Sequence, residues 1–326
     1  MQVKEINNDI DEYGSSELKL EISGDKITCH VVNSLRKVCL NQIPMYALHT
    51  SKIKIIKNSS VYDNTEITNR FSQLPIMNIN HQVNFLPLKY YINGLTNEKH
   101  PEDTYDIEYF LKVQNNGFEK VLNVTTNDLI ININNKKVDN SLIYSNKYPI
   151  TLIQLRIGEE IECSMKAILS IGEFDSIFNS SNSYYEEIEP NKFYFTIESS
   201  GQFTEYELLL KGCEIIITKL KIISENINLN QYNTLITENN SAIIDLINED
   251  YICGGIINDL IQNMKETLYC GITKQNFMQK NILLKIKTDN TTNPIEVFKK
   301  GIIESIKICE ELKDNIKKCR IGKKKN

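Results

Sequence analysis

The strongest constraint on this chain is an order of patterns that occurs twice: strand, turn, strand, helix, once near each end. In the first stretch Leu18, Leu20 and Ile22 alternate with polar and charged residues, Gly24-Asp25 marks a turn, and Ile27 to Val32 resumes extended character. Alternation on both sides of a turn predicts a β-hairpin. Asn33-Ser34 then caps a predicted helix whose apolar residues Leu35, Val38, Cys39 and Ile43 recur at helical spacing until Pro44. Arg36 and Lys37 fall on its polar face. In the second stretch Leu235-Ile236, the turn Asn239-Asn240-Ser241 and the strand Ala242 to Ile247 lead into a helix from Cys253 to about Met264. A strand at Ile282 to Lys287 follows, and Pro294 opens a helix with apolar residues Ile295, Phe298, Ile302, Ile306, Ile308 and Leu312.

Between these stretches the patterning changes. Residues 51–149 are rich in Asn and Tyr, with short alternating runs (Ile107 to Val113, Leu129 to Ile133) separated by turns such as Asn115-Asn116-Gly117. This reads as an inserted, mostly β module. From 150 the strand Thr151 to Arg156, the turn Ile157-Gly158-Glu159 and the strand Ile161 to Leu169 predict a second hairpin that closes the insertion. Asp175 to Asn191 reads as a long loop and Phe193 to Ile197 as a strand. Thr204 caps a helix that carries Leu208, Leu209, Cys213, Ile216 and Leu220, and polar residues from Ser224 to Asn233 read as a linker. The expected fold class is therefore α+β, with one discontinuous domain at 1–50 and 150–224, an inserted β domain at 51–149, a linker at 225–233 and a last domain at 234–326.

Composition narrows the function. Of 326 residues, 41% are hydrophobic and 24% charged, which suits folded domains with real cores. A net charge of -5 and a pI of about 5.6 leave no whole-molecule positive field to draw the chain onto nucleic acid or an anionic membrane. No run approaches the roughly 20 apolar residues that span a bilayer, and residues 1–14 are polar and acidic, unlike a secretory leader, so a cytosolic address is expected. The eight cysteines, at 29, 39, 163, 213, 253, 270, 309 and 319, are irregularly spaced within apolar runs and read as small buried hydrophobes.

Chemistry is hard to place on this chain. Four histidines, no Gly-x-Ser-x-Gly, no P-loop and no Gly-x-Gly-x-x-Gly after a strand leave no nucleophile with a paired base and no phosphate cradle. His100, Glu102, Asp103 and Asp106 are the best metal set, but Pro101 and the lack of a helical pair of histidines favour a solvated turn. Asp9-Ile10-Asp11-Glu12 lies in an N-terminal tail expected to lack fixed structure, and Lys317, Lys318, Arg320 and Lys323 to Lys325 form a basic tail expected to fray. No catalytic residue, metal or cofactor is expected.

Several of these segments resemble one known family. Asn33-Ser34-Leu35-Arg36-Lys37-Val38-Cys39-Leu40, with Ile43-Pro44 and Ala47, is similar to the Asn-Ser-Leu-Arg-Arg helix and its Pro exit in the alpha-like subunits of cellular RNA polymerases. Those are bacterial alpha, archaeal D and L, and the third and eleventh subunits of the eukaryotic enzyme. Ser60-Val61-Tyr62-Asp63, Glu66-Ile67, Asn69-Arg70 and Leu74-Pro75-Ile76 resemble a second segment of the larger partner. Leu155 to Ile161 and Phe193 to Gly201 resemble its closing strand, loop and helix approach. In the last stretch, Glu249-Asp250-Tyr251-Ile252-Cys253-Gly254-Gly255-Ile256-Ile257, Cys270-Gly271, Ile282 to Thr288 and Pro294 to Val297 resemble the smaller partner. Two signatures of that partner are eroded here, to Ile252-Cys253-Gly254-Gly255 and Asn276-Phe277.

The resemblance implies a non-catalytic assembly platform for a DNA-directed RNA polymerase, with the larger and smaller partners fused as a pseudo-heterodimer in one chain. Its implied partners are the two large catalytic subunits and small polymerase subunits, with no direct sequence-specific nucleic-acid contact and no membrane. Asn33, Ser34, Leu35, Arg36, Lys37 and Arg70 are the implied contacts to a large subunit. The implied intramolecular interface is Leu209, Ile216, Leu220, Ile257, Ile302 and Ile306. Such a fusion resembles the arrangement in large cytoplasmic DNA viruses, which implies host cytoplasm and virion if the chain is viral and the cytosol otherwise. A viral scaffold protein sharing two α+β modules is the competing class, and a metal enzyme built on the His100 set the third.

Overall fold

A computed structural model describes residues 1–10, 16–79, 81, 83, 85–87, 90–92, 95–96, 105–117, 119–229, 231–238, 240–274, 280–289 and 291–323. The chain begins with strands β1 (Gln2–Ile10) and β2 (Ser16–Ser23) and helix α1 (Cys29–Asn41). It continues through β3 (Met45–Ala47), β4 (Ile53–Asn58), α2 (Asn64–Ser72), β5 (Tyr91–Ile92), β6 (Leu95–Thr96), β7 (Ile107–Gln114), β8 (Val121–Thr125), β9 (Leu129–Ile133), β10 (Lys136–Val138), β11 (Thr151–Arg156), β12 (Glu160–Lys166) and β13 (Ile168–Ser170). Strands β14 (Ser181–Glu189) and β15 (Lys192–Ser199) and helix α3 (Glu205–Asn228) follow. The last part is β16 (Asn233–Glu238), β17 (Ser241–Ile247), α4 (Tyr251–Gln262), β18 (Thr267–Thr273), β19 (Asn281–Thr288) and α5 (Pro294–Lys323).

The repeated order survives as a repeated topology. Set aside β3 to β13, and both ends of the chain run strand, strand, helix, strand, strand, helix. Among the described residues the first sheet is ordered β1-β2-β15-β14 and the last β16-β17-β19-β18, antiparallel throughout. In each, the first strand lies beside the second, the second beside the fourth, and the fourth beside the third. The α+β class read from the sequence is the class observed.

Side-chain alternation explains the first sheet. Leu18, Leu20 and Ile22 of β2 face the same side as Ile197, Phe195 and Phe193, their register partners on β15, and all six are sealed from solvent. Aromatic and β-branched residues opposite one another are the favourable pairs of an antiparallel sheet. Helices α1, α3, α4 and α5 cover the inner faces, with α3 against α5 and α1 against α4. Leu18 of β2, Leu209 of α3, Ile257 of α4 and Ile302 of α5 belong to one continuous apolar core. A second core gathers residues from Tyr46 to Leu169 around the sheet β10-β9-β7-β12-β4.

Gly212 sets the spacing of α1 and α3. A Cβ there would stand 2.7 Å from Cys39 Sγ and 3.1 Å from Leu35 Cδ1 of α1, too near for either. Gly212→Val is accordingly expected to lower stability by about 1–3 kcal/mol through overpacking, read as a fall in the melting temperature.

Several local expectations are corrected. Ile27 to Val32 is not a strand: α1 begins at Cys29 with Thr28 as its cap, so Asn33-Ser34 lies inside the helix. The hairpin partner of β2 is the N-terminal strand β1, which as far as Ile10 is ordered rather than a tail. Its polar, mostly exposed residues hide the strand from a search for apolar alternation. Thr151 to Arg156 and Ile161 to Leu169 do not pair as a hairpin; β11 pairs with β8, and β12 lies between β7 and β4. The loop expected at Asp175 to Asn191 contains β14, whose Ser181 and Ser183 face inward on the alternate positions that apolar residues usually hold. Helix α3 runs on to Asn228, into the expected linker.

Candidate docking surface on α1

Helix α1 has one face inside the molecule and one edge outside. Ser34 and Leu35, expected among the contacts to another subunit, are spent within the chain. Ser34 is 3% exposed and its Oγ donates to the Ile252 carbonyl of α4 at 2.9 Å, while Leu35 is wholly buried in the continuous core. That hydroxyl fastens the two halves together. Asn33, Arg36 and Lys37 remain on the partly exposed edge.

Their geometry is held from behind. Arg36 Nε donates to Asn33 Oδ1 at 3.0 Å, one helical turn away, and the Ser183 hydroxyl of β14 donates to the Arg36 carbonyl at 3.1 Å. An aimed guanidinium retains donors for a carboxylate or carbonyl on another surface. Lys37, Asn33 and His30 border a shallow cavity of about 350 Å3 whose other rim is Tyr251, Gly255 and Asn258 of α4. Tyr251 is 44% exposed there, next to the polar edge. Neither the Ser183 support nor the Tyr251 rim was legible in the sequence, because both depend on which strand and helix pack beside α1.

Arg70 stands elsewhere, on α2 in the second core. Asp63 caps this helix by accepting from the Glu66 amide at 2.8 Å. The Arg70 guanidinium lies 5.1 Å over the Tyr62 ring, and its Nη1 reaches the Leu152 carbonyl at 3.4 Å. These contacts leave the side chain exposed at its outer edge.

The expected interface residues fall inside the continuous core. Leu209, Ile216 and Leu220 on α3, Ile257 on α4 and Ile302 on α5 are each at most 2% exposed, and Ile306 packs partly buried against them. Arg320 Nη2 of α5 also donates to Glu207 Oε1 at the start of α3 at 3.0 Å.

Chemical sites fare less well. Cys29 and His30 come together, Sγ 3.7 Å from Nδ1, but Asp259 Oδ2 is also 3.7 Å from that same nitrogen, so no relay of thiol, ring and carboxylate forms. Burial, with the Asp259 and Glu187 carboxylates, pushes the Cys29 thiol up, away from the thiolate a nucleophile needs. No group of three or more potential metal ligands occurs among the described residues. Asp106 is spent on Lys166 at 2.8 Å, and the rest of its set, His100, Glu102 and Asp103, lies outside the described residues, as do Asp11, Glu12, Asn276-Phe277 and Lys324-Lys325. All eight cysteines are free thiols, six of them buried. Among the described residues no helix is long and apolar enough to cross a membrane.

Two comparisons with known proteins bear on this surface. A family model for the RNA polymerase Rpb3/Rpb11 dimerisation domain matches residues 21–220, which include α1, the second core and most of α3. The match stops before the second half of the fold. A protein of Acanthamoeba polyphaga mimivirus, provisionally designated a DNA-directed RNA polymerase subunit, is 27% identical over 329 residues, covering 93% of this chain and 91% of its own length.

Proposed function

Because this chain belongs to the RNA polymerase Rpb3/Rpb11 dimerisation-domain family, and so is a subunit of a DNA-directed RNA polymerase, we propose that it is the non-catalytic platform on which the two large catalytic subunits assemble. The observation that carries this reading is the continuous core. Helices α1 and α3 of the first half and α4 and α5 of the second share it, so the pairing for which the family is named is closed inside one chain. On this reading the inserted module is the second core, which runs from Tyr46 to Leu169 and so past the boundary expected at 149. Fusion replaces an encounter between two partners by an intramolecular contact at high effective concentration. Among the outward residues of α1 are Asn33, Arg36 and Lys37, and on α2 stands Arg70. We assign these four residues to contacts with a large subunit. Small polymerase subunits complete the complex. We also assign the complex to the host cytoplasm and the virion, an assignment supported only by the viral origin of the relative.

A tagged pull-down from native lysate with mass spectrometry tests the reading. Wild type is expected to recover two large polymerase subunits. Arg36→Glu is expected to recover about tenfold less, since reversing a rim charge turns attraction into repulsion. An unchanged melting temperature keeps this loss from being one of fold, because among the described residues the Arg36 side chain bonds to Asn33 on its own helix turn and to nothing in the core. Recovery of capsid or other structural proteins in place of polymerase subunits would sink the proposal in favour of a scaffold.

A further inference from the structure

A second cavity, of about 290 Å3, opens where three parts of the chain meet: the end of α1 at Gln42, the middle of α3 at Lys219 and Ile222, and the turn between β17 and α4 at Glu249 and Asp250. Two buried acceptors border it without a donor among the described residues. One is Gln42 Oε1, on a residue 7% exposed, and the other is Glu249 Oε2, on a residue 8% exposed. Buried polar atoms in folded proteins are nearly always paired, so two orphans from different elements beside one space mark a place where donors belong. Phe85, Leu86 and Ile222 supply apolar wall.

Charge points the same way. Three carboxylates, Glu173, Glu249 and Asp250, face two ammonium groups, Lys219 and Lys280. Lys280 is taken by Glu173 at 2.6 Å, leaving Lys219 against Glu249 and Asp250, with one negative charge in excess once Glu249 is ionised. An anionic ligand would set acceptors against acceptors here. We propose that this cavity is a binding site for a small organic cation, an ammonium or guanidinium group carried on a short apolar stem. Its N–H groups donate to Gln42 Oε1 and Glu249 Oε2, and the stem lies against Phe85, Leu86 and Ile222. Ligand pockets commonly combine such apolar walls with a few convergent polar atoms. The site is independent of the assembly reading.

The proton on Glu249 is linked to occupancy. Burial raises this carboxyl to about 7; Lys219 opposes the shift, and Asp250 and Glu173 add to it. Tyr232 and Cys253, the other titratable groups beside it, are held protonated by their own burial. An arriving cation favours the ionised carboxylate and expels its proton, so affinity rises between pH 6 and pH 8.

Calorimetric titration of the full chain with n-butylammonium, n-butylguanidinium and 1-butanol tests this. Saturable one-site binding by the two cations and none by the alcohol is the expected result. Glu249→Gln, which keeps an acceptor and removes the charge, is expected to weaken cation binding at least about tenfold at pH 8. Ile222→Phe, which thickens a wall, is expected to weaken both cations alike, and melting curves of both variants report that they are folded. Absence of saturable cation binding in wild type, as when water alone fills the cavity, overturns the proposal. Equal binding of 1-butanol, or unchanged cation binding in folded Glu249→Gln, overturns it as well.

Discussion

Ile302→Asp is expected to leave no cooperatively melting chain, whereas Ile303→Asp, one position along the same helix, is expected to melt within about 0.5 kcal/mol of wild type. The two isoleucines are alike in sequence and opposite in setting: Ile302 is wholly buried in the core shared by both halves, and Ile303 is 50% exposed. Deleting a buried Ile side chain costs about 2–5 kcal/mol, and a carboxylate left without a partner in an apolar site adds several more. Against a total stability of about 5–15 kcal/mol, the sum removes most or all of the fold. Near-ultraviolet circular dichroism and the thermal transition would read the result. A folded Ile302→Asp chain with wild-type melting would mean that α5 packs elsewhere and that the two halves do not share a core.

The same pair of residues explains what could and could not be read from the sequence. Ile302 recurs with Phe298 and Ile306 at helical spacing, a periodicity set by the chain itself, and strands β2, β15, β17 and β19 followed from similar local signals. What failed were the elements whose stability comes from neighbours. Strand β1 pairs with β2 through backbone and carries few apolar residues, and β14 opens on inward serines: Ser181, with Ser180 just before the strand, donates to the Cys39 carbonyl of α1, at 2.7 and 2.6 Å respectively. The site divided along the same line. The Arg36 edge was legible because a short motif carries it, and the inward turn of Ser34 was not, because its acceptor at Ile252 lies 218 residues away. Gln42 gave no signal, and Glu249 only as one residue of the segment resembling the smaller partner; each is an ordinary polar residue until the fold strands an oxygen of each beside one cavity.

Two buried titratable groups make opposite demands on pH, and their balance yields a second large effect. Burial, then the Lys211 ammonium, pushes His81 from the ordinary value near 6.5 down to about 3, and burial raises Glu249 from about 4.5 to about 7. For His81 the unfolded chain binds the proton more readily, so its stabilisation is complete above pH 6.5 and is lost as pH falls toward 3. For Glu249 the folded chain holds the proton more tightly, so its stabilisation is complete below pH 4.5 and is lost as pH rises toward 7. Between pH 7 and pH 5 the first group loses about 2 kcal/mol and the second regains about 2 kcal/mol. Wild type is therefore expected to show little net slope from this pair.

Each substitution uncovers the other group. Glu249→Gln removes a buried carboxyl that is forced to ionise, and is expected to stabilise the chain by up to about 3 kcal/mol at pH 8 while leaving a fall of about 2 kcal/mol from pH 7 to pH 5. His81→Phe suits a ring already edge-on to Tyr46 and Phe203, with centroids 5.2 and 4.9 Å away, and is expected to reverse that slope. Urea unfolding of the three proteins at pH 5, 6, 7 and 8 measures all of this at once. Parallel curves for wild type and both variants would mean that neither group changes its proton affinity on folding, and would remove the electrostatic reason for expecting cation binding at Glu249 to tighten with pH.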